Sequence, residues 1–166
     1  MQHFLNHSVN LMSYILGGVI HHTGQMWKGL DLIFDRIAQN GQFVVSIYND
    51  EGRTSRNWTR IKKAYNKLPG ILRPLIVIPC FIYLWWRVTL VDILKGHPFH
   101  TWRTYGTGRG MSPWHDVIDW VGGYPFEVAT PDELFAFYYK KGMQLQKMKT
   151  CNHLGCNEFV FKRSAE

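Results

Sequence analysis

Two adjacent histidines, His21 and His22, stand in GGVIHHTGQMW, residues 17–27, between a short apolar run and a helix-like pattern. A side chain titrating near ~6.5 can take or give a proton at neutral pH, and can also ligate a metal. Tyr48, Asn49 and Asp50 close a second apolar run, QFVVSIY. If the two runs are parallel strands, both groups meet beyond the carboxyl ends of the strands, where open α/β sheets bind ligands. A second acid–base candidate is His115 with Asp116 and Asp119. His115 and Asp119 are one helical turn apart, and a carboxylate can orient and tune an imidazole. Taken alone, His115 and Asp116 read more readily as the cap or start of a helix. Cys151, His153 and Cys156 form one closely spaced pair with a histidine between them. Zinc sites usually take two such pairs and four ligands, so a plain hairpin connection and no metal is expected there, with a hairpin disulfide as the lesser reading. GTGRG, residues 106–110, invites comparison with a phosphate loop. Such a loop follows a strand and opens a helix, whereas this one follows HTWRTY and runs into MSP. It reads as a flexible turn.

The elements that must hold these groups follow from periodicity. Residues 12–20 read as a buried strand ending in a glycine-softened turn. Met26, Leu30, Ile33, Phe34, Ile37 and Ala38 then fall at helical spacing, opposite Lys28, Asp31, Asp35 and Arg36. Asn40 and Gly41 stop that helix. QFVVSIY, residues 42–48, is the near-continuous apolar run of a parallel strand covered on both faces. Strand, helix and strand in this order make a βαβ unit. Residues 49–57 read as a polar loop, 58–68 as a basic amphipathic helix, and 68–74 as its break.

Residues 75–86, LIVIPCFIYLWW, are the most apolar stretch. A membrane span takes roughly 20 such residues, and Arg87 ends this run early while Pro79 interrupts it. A helix buried as a lid or subunit contact is expected, or one lying in a bilayer surface with Trp85, Trp86 and Arg87 at its edge. Residues 96–114 are turn-rich, and a short helix and a Gly-Gly break follow. Thr130, Pro131, Asp132 and Glu133 spell a capping box with proline at the first helical position. Lys140, Lys141 and Gly142 give that helix a basic last turn and a stop. MQLQKMK and EFVFK read as two strands of an antiparallel hairpin around TCNHLGCN.

Composition narrows the classes. With 166 residues, 46% hydrophobic and 15% aromatic, the chain can bury a core and is too apolar for disorder. Three cysteines without framework spacing suit a reducing compartment, and MQHFLNHSVNLM lacks a basic start and long apolar run of a secretory signal. A cytoplasmic location is expected, with membrane association if residues 58–95 touch lipid. The net charge of +7 is concentrated: residues 51–110 hold eleven Lys/Arg against Glu51 and Asp92. Such a basic middle suits an anionic partner, either lipid headgroups or, as the weaker reading, nucleic acid along residues 53–73.

GGVIHHTGQMWKGLD followed by GQFVVSIYND resembles the fourth strand, following helix and fifth strand of class I S-adenosylmethionine-dependent methyltransferases. The likeness is to the ubiquinone-biosynthesis-like methylase group. RGMSPWHDVIDWVGGYPFEVATPDELFAFY, residues 109–138, and MKTCNHLGCNEFVF, residues 148–161, resemble that group's C-terminal region. The resemblance covers residues 13–163. It implies an incomplete Rossmann-like α/β sheet, equivalent to strands four to seven, with the last two an antiparallel hairpin. Residues 1–166 are then one partial methyltransferase domain, and residues 54–110 a basic helical insertion within it. It implies His21, His22, His115 and Asp116 as catalytic candidates. Tyr48, Asn49, Trp120, Tyr124 and Glu127 would line the substrate crevice. S-adenosylmethionine is the implied cofactor, and a small molecule, quinone-like or lipid-linked, the implied acceptor. The family's glycine-rich turn after strand one and its acidic residue after strand two, which hold the donor, are not in this sequence. The expectation is therefore a C-terminal half, truncated or split, working with a second chain or a homo-oligomer that supplies the donor side. The alternative is a non-enzymatic module binding a membrane surface or a protein through residues 58–95.

Overall fold

The computed structural model describes residues 14–17 and 19–164. The readings made on the N-terminal stretch before Tyr14 and on Gly18 lie outside the described residues. The chain divides into two compact units, one of Met1–Ser55 with Phe126–Glu166 and one of Arg56–Pro125.

The first unit is α/β. Strand β1 (Tyr14–Gly17) leads through a single 3-10 turn, Ile20–His22, into helix α1 (Met26–Phe34) and strand β2 (Gln42–Tyr48). Helix α6 (Pro131–Tyr139) and strands β3 (Met143–Lys149) and β4 (Cys156–Arg163) complete it. The sheet order is β1-β2-β4-β3. β1 and β2 are parallel, while β4 runs antiparallel to both β2 and β3. The βαβ unit and the terminal hairpin thus share one mixed sheet, with β1 outermost among the described residues.

Period-two burial explains β2. Phe43, Val45 and Ile47 are buried, whereas Val44, Ser46 and Tyr48 are half-buried. One face is therefore sealed and the other only partly covered. Met26 and Leu30 of α1, then Leu134 and Tyr138 of α6, pack with Phe159 and Phe161 of β4 in the same core. The Tyr138 ring sits 5.3 Å from Phe43 and 4.9 Å from Phe161. Its hydroxyl donates to the Leu30 carbonyl at 3.3 Å. The Thr130 capping box is present in full: the Thr130 hydroxyl accepts from the Glu133 N–H, and the Glu133 carboxylate accepts from the Thr130 N–H. Asn40 turns the chain after α1 with a φ of 60°.

The second unit is helical. Helix α2 (Arg53–Lys67) enters it, and α3 (Pro74–Leu94), α4 (His100–Arg109) and α5 (Pro113–Gly122) follow. Three expectations change here. Helix α2 begins four residues inside the expected polar loop, because Asp50 and Glu51 stand just before its N-terminus, where acidic groups favour a helix start. Arg87 does not end α3, which continues to Leu94. A single charge on an exposed face keeps its head in water while its stem packs. The stretch expected to be turns forms α4, with Gly106 and Gly108 inside the helix and Gly110, at φ 77°, as its left-handed cap. Its threonines and glycines are poor helix formers. Tertiary contacts override them: the Trp102 ring lies 5.3 Å from Trp85 and its Nε1 donates to the Thr89 hydroxyl at 2.9 Å. Asp92, at the end of α3, accepts from both the Thr101 N–H and its hydroxyl at 2.8 Å.

Candidate functional site

The parallel pairing of β1 and β2 is what brings distant histidines and Tyr48 together. Each strand delivers its carboxyl end to the same edge of the sheet. The 3-10 turn after β1 then folds His21 and His22 over the end of β2. The His21 ring is 4.1 Å from the Tyr48 ring and 4.6 Å from the His22 ring. His22 is 5.9 Å from Tyr48, and Phe126 lies on Tyr48 at 5.1 Å. His21 is fully buried in this aromatic cluster, whereas His22 is half-exposed. Of the two imidazoles, His22 is the one a solute can reach.

Glu127 joins this group from the far end of the chain. Its N–H donates to the His21 carbonyl at 2.9 Å. Both of its carboxylate oxygens accept from the Met26 N–H at 3.1 Å, at the first turn of α1. A carboxylate there satisfies an otherwise orphaned donor and complements the helix dipole. Asn49 is nearly buried, and its side-chain oxygen accepts from Asn157 at 2.9 Å. Its backbone bridges to Ala129. Asn49 thus fixes the end of β2 to the terminal strands.

The other predicted site residues belong to the helical unit. His115 lies in the first turn of α5, where the Ser112 hydroxyl contacts its Nδ1 at 2.7 Å and caps its N–H at 3.3 Å. Asp116 accepts from the Tyr105 hydroxyl at 2.8 Å and from Arg109 Nε at 3.2 Å, so it ties α4 to α5. Desolvation and the Asp116 hydrogen bond push the Tyr105 phenol up. Trp120 packs edge-on to Trp58 at 5.6 Å. Tyr124 is exposed and precedes a cis bond to Pro125.

Comparison with protein-family models, with curated proteins and with solved structures finds no match to this chain. The site rests on its own geometry.

Sequence reasoning missed Lys62. It falls in the basic helix, where a lysine is ordinarily solvated, yet it is 1% exposed. Its ammonium lies 3.8 Å over the Trp120 ring and donates to the Trp120 carbonyl. Burial lowers its pKa from 10.5 to about 7, against the pull of Asp119. The available signal was Trp58 one turn before it, since a tryptophan marks the covered face of an amphipathic helix. Cys80, Cys151 and Cys156 are free thiols, and Cys151 Sγ donates to the His153 carbonyl. Among the described residues no three His, Cys, Asp or Glu side chains gather as a metal site. A surface cavity of about 590 Å³ lies between Trp27, Glu133, Phe137 and Lys141, and none of the predicted site residues lines it.

Proposed function

We propose that this chain forms the acceptor side of a class I S-adenosylmethionine-dependent methyltransferase acting on a small molecule, quinone-like or lipid-linked. The observation that carries the reading is the pair of parallel strands whose carboxyl ends hold His21, His22 and Tyr48, continued by an antiparallel hairpin in one sheet. The donor supplies an electrophilic methyl on a sulfonium. The acceptor atom must lie in line with that methyl and give up a proton if it carries one. The half-exposed His22 imidazole takes that proton, the buried His21 packs beside it, and the Tyr48 ring forms a wall of the acceptor crevice. Glu127 acts through the backbone by holding the His21 turn to α1. Donor-binding residues come from another chain or from further sequence of the same protein.

The test is calorimetric titration of S-adenosylhomocysteine into the folded chain, alone and with any chain that co-purifies with it. Micromolar binding, by the chain alone or with a co-purifying chain, supports the reading, and in an active preparation Tyr48→Ala raises KM for the acceptor. In an active preparation, His22→Gln lowers methyl transfer about 10²-fold or more while binding persists. The reading is removed if the folded chain, joined to any further sequence of the same protein and to any co-purifying chain, binds no S-adenosylhomocysteine.

A further inference from the structure

We propose that the outer face of α3 lies in the plane of an anionic lipid surface, inserted to about the depth of its side chains. The helix is apolar on every side, but its own unit covers only one stripe. Val77, Cys80, Trp85 and Asp92 are buried, and Phe81 and Trp85 pack against Trp102 and Trp114. The opposite stripe of Leu75, Ile78, Ile82, Trp86, Leu90 and Ile93 is exposed, with Leu75 at 70% and Ile82 at 61%. These residues recur at three- and four-residue intervals, so they share one continuous face. Scattered exposed apolar residues need no explanation, but a continuous strip along a helix of 21 residues marks an interaction surface.

Charge selects the partner. The helical unit carries ten Lys/Arg against Asp92, Asp116 and Asp119; with Lys62 and Asp92 both buried, nine cations face two carboxylates. On α2, Arg56, Arg60, Lys63 and Lys67 are all exposed and fall on one stripe. Arg87 flanks the apolar face beside Trp86, at 5.4 Å from its ring, and Lys95 follows the last turn. A second copy docked on the same face would bring two strongly basic units together. Anionic headgroups instead neutralise them, and tryptophan beside arginine suits the interfacial depth.

Length and composition alone would let Gly70–Leu94 cross a bilayer. The neighbours argue for lying flat. The covered stripe of α3 carries α4 and α5, which bring Arg109 and Asp116 with them, and spanning would drag these charges into hydrocarbon. In the plane, the apolar stripe is immersed while the other helices stay in water.

The experiment is sedimentation of the full chain with vesicles of phosphatidylglycerol and phosphatidylcholine, against phosphatidylcholine alone, read beside light scattering. The expected result is binding to the anionic vesicles that weakens with added salt. Ile82→Glu, and independently Leu75→Glu, lower that binding about tenfold or more, with unchanged helical circular dichroism because both sites are exposed. Arg87→Gln with Lys95→Gln lowers it about fivefold per charge removed. The proposal is overturned by a folded chain that binds no anionic vesicles, or by equal binding to both vesicle types. Indifference to the two glutamate variants overturns it, as does self-association broken by Ile82→Glu without vesicle binding. Resistance to alkaline extraction overturns the in-plane placement. None of these outcomes depends on donor binding, so this inference and the methyltransferase reading stand or fall separately.

Discussion

Lys62 and Asn157 are both buried, and neither announces itself by type. For Lys62, the folded pKa of about 7 lies below the ordinary 10.5. Between those two pH values the unfolded chain holds a proton that the folded chain has released. Stability from this group therefore rises with pH across that window. Below about pH 7 both states are protonated and the burial penalty stands in full. The stability of the native chain minus that of Lys62→Met is expected to climb from pH 7 towards 10.5, by on the order of a few kcal/mol at most. Urea unfolding of both proteins across the window checks this, and parallel curves would refute it. Asn157 is buried, donates to Asn49 and accepts from the Cys151 N–H. Asn157→Ala strands both partners, and a loss of about 1–3 kcal/mol is expected in the same measurement. Asn49 is legible as a polar residue at a strand end, whereas Glu127 is indicated only by the family resemblance. Which atoms they hold depends on Met26 and Asn157, each about a hundred positions away in the chain.

At the level of elements, what is local was readable. The capping box of α6 involves only residues 130–133, so type and spacing suffice to identify it. Thr130→Ala removes the side-chain acceptor, and thermal unfolding should report a loss of about 1 kcal/mol, within a range of 0.5–2. The parallel β1–β2 pair and the terminal hairpin were readable for the same reason. Apolar runs on either side of one amphipathic helix read as a βαβ unit, and two β-rich runs joined by a short connection read as a hairpin. Helix α4 was not readable. HTWRTYGTGR has no amphipathic stripe, and its helix depends on Trp102 and Thr101 meeting Thr89 and Asp92 of α3. Asp92→Ala removes the carboxylate that Thr101 donates to, and melting of α4 is expected as a partial loss of helical circular dichroism. An unchanged spectrum would mean that aromatic packing alone holds the helix.

Across the whole molecule the two units differ in kind, and tryptophan marks the difference. Trp27 lies in the sheet unit, and Trp58, Trp85, Trp86, Trp102, Trp114 and Trp120 lie in the helical one. Bulk fluorescence therefore reports mainly the helical unit. The sheet core of Phe43, Val45, Ile47, Phe159 and Phe161 is sealed, whereas α3 leaves an apolar face uncovered. The helical unit is expected to unfold at lower urea, with Trp fluorescence changing before the β-sheet signal in circular dichroism. Coincident transitions would show one cooperative block instead. Phe43→Ala, in the sheet core, should shift the later transition by about 3–5 kcal/mol.

The sequence by itself determined the order of strands and helices in the sheet unit, the capping of α6, the terminal hairpin and the placing of two histidines at a strand end. All of these follow from backbone periodicity and from contacts a few residues apart. Only the tertiary structure decided that His21 is buried and His22 reachable, that the covered face of the basic helix sets Lys62 against Trp120, and that α3 keeps one face bare. Burial and partnership are set by residues far apart in the chain: a local pattern can mark the covered face of one helix, but not which distant group will cover it.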